Sequence, residues 1–194
     1  MSENNNNNKN EQINHYHQVR DWVDELGITT KSLPKKPNVE KAFILFWGKQ
    51  RNQRAIQCLF PKNKKFMQLA CIVRFPENIV PIFMKSKEKR VKFLFYMHQM
   101  ALLKDFTHEV HFGKPGKGRK RGKENVKVPK NFKPFFAIHK KLWFGDLSLS
   151  GFENAFQTLG SLATHLGMYL QILLDEKVDV DTDLQDFSGK SLYS

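Results

Sequence analysis

The spacing of hydrophobic residues along this chain changes several times between helical and strand-like periods. Apolar residues recur at helical spacing over residues 13–26, and Gly27 then predicts the end of this first helix. Three segments with strand patterns follow at residues 41–48, 54–60 and 66–75. The first is almost entirely apolar, which favours a strand covered on both faces, and the third alternates with a period of two. Together they predict a three-stranded antiparallel meander.

The period changes again in the second half of the chain. Helical spacing predicts a helix over residues 85–104, and short apolar segments predict strands over 106–112 and 132–144. A capping-box pattern, Ser-Gly-Phe-Glu, opens a long amphipathic helix over residues 150–177. The predicted fold class is therefore α+β: a single antiparallel sheet of about five strands with helices packed on it, in the order α-β-β-β-α-β-β-α.

The length and the apolar content fit one structural domain. With 194 residues, 40% of them hydrophobic, the chain is long enough for one well-filled core. We expect residues 11–177 to form this domain, after a disordered, Asn-rich head at residues 1–10. A mobile basic arm at residues 113–130 interrupts the domain, and residues 178–194 form an acidic tail with four Asp.

The basic arm is the most distinctive part of the sequence. Eight Lys or Arg and one Glu lie within residues 114–130, a net charge of +7 out of +13 for the whole chain. Because its glycines and its self-repulsion oppose packing, we expect this arm to order only against an acidic partner, most often a polyphosphate backbone. Its candidate nucleic-acid-binding residues are Lys114, Lys117, Arg119, Lys120, Arg121, Lys123, Lys127 and Lys130.

Most of the aromatic residues are expected in the core. Those on predicted core faces are Phe43, Phe46, Phe60, Phe75, Phe95, Phe136, Phe152 and Phe156. Three others, Phe135, Trp143 and Phe144, belong to the last predicted strand and are candidates for an exposed, partner-binding patch. Such a patch more often marks a protein partner or a homodimer contact than a platform for nucleobases.

The sequence contains no recognisable catalytic or metal-binding motif. Its seven His residues form neither a zinc-protease pattern nor a Cys/His zinc pattern. Residues 113–118 have the glycine spacing of a P-loop, but Arg119-Lys120 replaces the required Lys-Ser or Lys-Thr pair. Cys58 and Cys71 are predicted to be buried free thiols. We therefore expect no enzyme activity, no metal and no cofactor, although residues distant in sequence can still converge on a pocket.

The apolar runs of the chain are short. Its first ten residues are polar and lack the apolar stretch of a signal peptide. No later apolar run reaches the length that spans a bilayer. We expect a soluble, cytoplasmic protein without a membrane partner.

The order of predicted elements and one helical sequence resemble a known fold. The helical sequence is Val-Arg-Asp-Trp-Val-Asp-Glu-Leu-Gly at residues 19–27. Together they resemble the type III secretion chaperone-like fold, and more narrowly an uncharacterised archaeal family of small cytosolic proteins with that topology. The resemblance covers roughly residues 11–177. It implies an interaction module, because secretion chaperones are usually dimers that hold an extended partner segment along the sheet and helices.

Two functional hypotheses follow from the charge and from the resemblance. The first is a nonenzymatic protein that associates with the DNA or RNA backbone through residues 114–130, with little reading of base sequence. The alternative is a chaperone-like or adaptor module that binds another polypeptide along its sheet and helices, the arm serving an acidic client. The four Asp of the tail could fold back on the arm and compete with nucleic acid.

Overall fold

The computed structural model describes residues 2–34, 36–49, 53–77, 79–111 and 134–174. The basic arm at 113–130 and the acidic tail at 178–194 lie outside the described residues. The predictions made for these two segments therefore stay predictions.

Four α-helices and six strands are found in the described part of the chain. The helices are α1 (Ser2–Glu25), α2 (Val80–Lys85), α3 (Lys87–Leu103) and α4 (Leu149–Leu174). The strands are β1 (Thr30–Ser32), β2 (Val39–Trp47), β3 (Arg54–Pro61), β4 (Phe66–Arg74), β5 (Thr107–His111) and β6 (Phe135–Trp143). A 3-10 turn, Phe144–Asp146, connects β6 to α4.

All the strands form one antiparallel sheet in the order β1-β2-β3-β4-β6-β5. β2, β3 and β4 are the predicted meander, and β6 lies between β4 and β5. The ladder between β5 and β6 ends at the His111–Phe135 pair, from which the chain continues into residues 112–133. The predicted α+β class is confirmed, with six strands rather than about five. The additional strand, β1, lies between the first predicted helix and the meander, where the hydrophobic pattern predicted no strand.

The helices cover one face of the sheet, and the core lies between the two layers. Inward side chains alternate along the strands, so that Ile56, Cys58 and Phe60 of β3 are all fully buried. α1 packs on this face through Tyr16, whose ring meets the rings of Phe43 and Phe60 edge-on at centroid distances of 5.8 and 5.6 Å. Burial of these side chains removes their apolar surface from water, which is the main force that joins the layers.

A group of phenylalanine rings joins α2 and α3 to the sheet. Phe83 of α2 and Phe93 of α3 contact Phe75, which follows β4, with centroids 5.0 and 5.8 Å away. Phe93 also meets Phe136 of β6 at 5.5 Å. α4 also packs on this face of the sheet. Its buried residues are Phe152, Phe156, Leu159, Leu162, Ala163, Leu166 and Leu170.

α1 begins at Ser2, within the head at residues 1–10 that we expected to be disordered. Once a helix is nucleated, each further residue needs only propagation, so α1 extends through Asn residues of low intrinsic propensity. Gln12, which is 3% exposed, anchors α1 to the sheet. Its Nε2 donates hydrogen bonds to the carbonyl oxygens of Pro61 and Lys64 at 2.7 and 2.6 Å.

Two predictions about buried faces were wrong. We expected β2 to be covered on both faces, but in the described chain the helices lie on one side, and Ile44 and Phe46 on the other side are half-buried. We expected Phe95 of α3 in the core, but it is 62% exposed, whereas Phe93 and Met97 point inward. Because α3 carries apolar residues around most of its circumference, periodicity alone does not select its inward side.

Serine side chains cap two of the helices. Ser86 separates α2 from α3, and its Oγ accepts a hydrogen bond from the N–H of Lys89 at 3.2 Å. At the start of α4, the Oγ of Ser148 accepts from the N–H of Gly151 at 3.2 Å. The cap is therefore Ser148 rather than the predicted Ser150, because α4 begins at Leu149, two residues earlier than a cap at Ser150 would place its start.

Candidate functional site

The face of the sheet opposite the helices, called the outer face below, is the candidate site. Side chains alternate along a strand and residues paired across a ladder share a face, so the register defines its members. No helix packs on this face among the described residues. Its larger side chains are Ile44, Phe46, Gln57, Leu59, Phe66, Gln68, Ile72, Arg74, Glu109, His111, Phe135, His139, Lys141 and Trp143.

One end of the outer face carries an aromatic pair. Phe66 of β4 and Trp143 of β6 are cross-strand partners, and their rings meet edge-on at 5.2 Å. Trp143 is 56% exposed. The Nζ of Lys141 lies 5.2 Å from the centre of the Phe66 ring. This end therefore offers an aromatic surface directly beside a cation.

The other end of the same face carries a second ring pair. His111 of β5 and Phe135 of β6 are stacked, with centroids 4.5 Å apart. Arg74 of β4 is the cross-strand partner of Phe135 on its other side. β6 rises about 3.3 Å per residue, so this pair lies about 26 Å from Trp143 along the strand.

The surface between the two aromatic pairs carries polar side chains beside Ile72, which is 42% exposed. His139 pairs with Ala70 across the ladder, and its ring nitrogen lies 3.6 Å from Glu109. Burial lowers the pKa of His139, an effect that the nearby Glu109 carboxylate opposes. Gln57 accepts a hydrogen bond from the Nζ of Lys36 at 3.3 Å. This region therefore presents amide and neutral imidazole groups rather than charge alone.

The cations on the outer face outweigh the carboxylate of Glu109. Lys31 of β1 is the cross-strand partner of Ile44, and Lys36, Arg74 and Lys141 extend the positive charge across the sheet. Glu109 lies 3.0 Å from a ring nitrogen of His111, within hydrogen-bond distance. The face has a positive balance, in agreement with the charge of the chain.

The predicted partner-binding residues do not form one patch. Phe135 and Trp143 both lie on the outer face, but at opposite ends of β6. Phe144 is only 6% exposed, because its ring stacks between His15 and Phe60 at 4.4 and 6.3 Å. Phe144 therefore belongs to the core and contributes no surface to a partner.

The predicted nucleic-acid-binding residues between Lys114 and Lys130 lie outside the described residues. The described chain shows where this segment leaves and rejoins the sheet, since His111 and Phe135 are paired in register. That pair is one end of the outer face. Sequence reasoning did not place Arg74 beside Phe135, because only the register between β4 and β6 brings them together.

One edge of β6 is also open. β5 pairs with β6 only as far as His139, so residues 140–143 have β4 on one side and, in the described chain, no strand on the other. The N–H of Phe144 donates to Lys65 on the β4 side at 3.0 Å. Backbone direction alternates along a strand, so the peptide groups of Lys141 and Trp143 face the open side.

A depression of about 370 Å³ lies beside this open edge. Asp105 and Thr107, at the start of β5, line one side of it, and Asp146 and Ser148 line another. Lys140 reaches Asp105 through an ion pair and through a hydrogen bond from its Nζ to the Asp105 carbonyl oxygen at 2.9 Å. The rim of the depression therefore carries both signs of charge beside the apolar side chains of Leu142 and Leu147.

The described residues contain little catalytic chemistry. No group of three His, Cys, Asp or Glu side chains among them is arranged to hold a metal ion. Cys58 and Cys71 are free and buried, as predicted, and burial raises the pKa of the Cys71 thiol to about 11. A thiol with so high a pKa is not ionised near neutral pH and is a poor nucleophile.

None of the described helices has a stretch long and apolar enough to cross a bilayer.

The comparisons with known proteins concern the fold. No protein-family model matches the chain, and no curated protein matches it either. The chain is similar in structure to an uncharacterized protein from Methanothermobacter thermautotrophicus, with a TM-score of 0.61 and 13% sequence identity, covering 80% of this chain and 95% of that chain. At this identity the likeness shows the fold alone. It agrees with the expected archaeal relationship, whereas the resemblance to secretion chaperones stays a prediction.

Proposed function

We propose that this is a nonenzymatic protein that binds nucleic acid through the outer face of its sheet and through the basic segment 114–130. The observation that supports the proposal most directly is that cations and aromatic rings share one face of the sheet that no described helix covers. That face ends at the His111–Phe135 pair, from which the chain continues into the basic segment. Phosphate groups and bases are the two parts of a nucleic acid that such a surface recognises.

The charge of the chain provides the affinity in this proposal. A net charge of +13 attracts a polyanion and accelerates its encounter with the protein. Each phosphate contact releases counterions, so affinity falls as salt rises. If about six cations of the segment contact a duplex, the slope of log affinity against log salt is near −5. Lys31, Lys36, Arg74 and Lys141 add contacts on the outer face.

A salt titration tests this proposal. Affinity for mixed-sequence DNA and for structured RNA is measured with the full chain, with a variant in which residues 114–130 are replaced by a short Gly/Ser turn, and with the double variant Arg74→Gln/Lys141→Gln. We expect the slope to become shallower by about 5 in the first variant and by about 2 in the second.

The matched control is the double variant Lys85→Gln/Lys87→Gln. It removes the same amount of charge from exposed positions at α2 and α3, in the helical layer. We expect its slope to stay within experimental error of the unaltered chain. Binding that is absent, or that loses the same slope in the control and in the Arg74/Lys141 variant, would contradict the proposal.

The open edge of β6 supports a second candidate function, the chaperone-like binding of an extended polypeptide. The peptide groups of Lys141 and Trp143, which no described strand pairs, match the pattern by which a peptide adds a strand to a sheet. A decapeptide of alternating Val and Asp is the probe, and the same peptide with alternate amides methylated is the control. Equal binding of the two peptides would exclude strand addition, because methylation removes the donors that pair with the edge.

A further inference from the structure

We infer that the outer face binds single-stranded nucleic acid, with bases stacked on Trp143 and on the His111–Phe135 pair. This inference rests on the proposed function and adds the class of ligand. It does not follow from charge, because duplexes and single strands both carry phosphates. It follows from the shape of the face and from the exposure of its rings.

The outer face does not have a shape that can enter a groove of a nucleic-acid duplex. A major groove admits a helix or a two-stranded ribbon that projects from the protein. The described helices all pack on the opposite face, and the outer face is a continuous five-strand surface from β2 to β5. Ala70 and Ala137 lie at its middle and are each only 5% exposed. These small side chains leave the surface low around them, beside the exposed side chain of Ile72, the cross-strand partner of Ala137.

The rings at the two ends of the outer face fit unpaired bases. Stacking on a protein ring requires that a base be free of its own neighbours, as in a single strand. Trp143 contacts Phe66 edge-on, an arrangement that leaves a face of the indole free, in keeping with its exposure of 56%. Phe135 already stacks on an imidazole, and a base can extend that stack.

The residues between the ring pairs supply the remaining contacts. The distance of about 26 Å along β6 leaves room for several nucleotides between the two stacks. Lys141 and Arg74 stand beside the first and second ring pair, where they can meet phosphates. Gln57, Gln68 and His139 lie between them and offer hydrogen bonds to base edges, which unpaired bases leave available.

The test compares a labelled oligothymidylate with a mixed-sequence duplex of equal length. The full chain, Trp143→Leu and Phe135→Leu are titrated with both probes by fluorescence anisotropy. Leucine keeps an apolar side chain and removes the ring, so the substitution is mild for folding. We expect each variant to bind the single strand about 5- to 150-fold more weakly, and the duplex with little change. We also expect the single strand to quench Trp143, seen as the difference in emission between the full chain and Trp143→Phe.

The control for these variants is Phe95→Leu. Phe95 is a ring with 62% exposure on α3, in the helical layer, and its removal should leave single-strand affinity unchanged. Far-UV circular dichroism of every variant confirms that the sheet is intact.

The possible outcomes separate this inference from the proposed function. If both probes bind equally and the Trp143 and Phe135 variants match the full chain, nucleic-acid binding stands and the single-strand inference fails. If neither probe binds, both fail. If sedimentation shows that the full chain is a dimer and Trp143→Leu is a monomer that binds neither probe, the outer face is a contact between copies of this chain, and the inference is overturned.

Discussion

Replacement of Gly160 by alanine tests the packing of the longest helix against the sheet. Gly160 lies in the middle of α4, where the side chain of Trp47 crosses it. A Cβ at this position would lie 2.3, 2.4 and 2.7 Å from three atoms of the Trp47 ring, whereas carbon atoms in contact are about 3.5–4.0 Å apart. The ring must therefore move by more than about 1 Å. This movement also disrupts the hydrogen bond from Trp47 Nε1 to Gln157 Oε1, which is 2.7 Å long.

The expected size of the effect follows from three contributions. Overpacking costs about 1–3 kcal/mol, and loss of the hydrogen bond costs about 0.5–1.5 kcal/mol. Alanine favours the helix over glycine by about 1 kcal/mol, which offsets part of this cost. We therefore expect Gly160→Ala to lower the free energy of unfolding by about 1–3 kcal/mol. Urea unfolding, followed by far-UV circular dichroism, measures this change as a lower midpoint with an unchanged slope.

A second background decides whether the Trp47 ring is the cause. In Trp47→Leu the obstructing ring is absent, so the same Gly160→Ala substitution should stabilise the protein by up to about 1 kcal/mol through helix propensity. The sign of the effect is thus expected to reverse between the two backgrounds. If Gly160→Ala is neutral or stabilising in the natural background, or equally harmful in both, Trp47 does not pack against α4 as described.

Three further predictions concern buried polar groups. Gln12→Ala should lower the free energy of unfolding by about 1–3 kcal/mol, measured in urea, because two main-chain acceptors lose their donor; an unchanged midpoint would show that Gln12 does not anchor α1. Burial lowers the pKa of His108, and the neighbouring His98 and His139 lower it further; burial also lowers the pKa of His139. Because the unfolded chain then takes up these protons first, stability should be constant above about pH 7 and fall as the pH drops below about 6.5. Thermal unfolding of His108→Gln should show a weaker pH dependence, and an identical dependence would refute this assignment. Cys58 and Cys71 should react with a thiol reagent only after unfolding, because both are buried; fast reaction in the absence of denaturant would show that the core opens locally.

The fold was largely predictable from local patterns, and the exceptions have identifiable causes. The period-two alternation on β4 and the helical period on α4 each reflect a single buried side, so the sequence marks them clearly. β1 has only three residues, too few for a pattern, and it exists because β2 offers an edge to pair with. In α3 the pattern is ambiguous for a different reason, because this helix is apolar on several sides. Only its contacts with Phe75 and Phe136 show that Phe93 points inward.

The candidate site was less predictable than the fold. Phe135 and Trp143 were identified as exposed aromatic residues, but their separation along β6 depends on the length of that strand. Phe144 was assigned to the same patch because it follows Trp143 directly. Consecutive residues at the end of a strand point to opposite sides, and the 3-10 turn carries Phe144 into the core.

The amino-acid sequence by itself determined the order of the longer elements, the excess of positive charge and the burial of most apolar side chains, because these depend on local periodicity and composition. Only the tertiary structure decided which face of the sheet stays uncovered and which residues share it. Arg74, His111 and Phe135 come from three different strands, and their proximity depends on the pairing of β4, β6 and β5. Strand pairing joins residues far apart in sequence, and a shift of one residue would move every side chain to the opposite face. No local pattern contains that information.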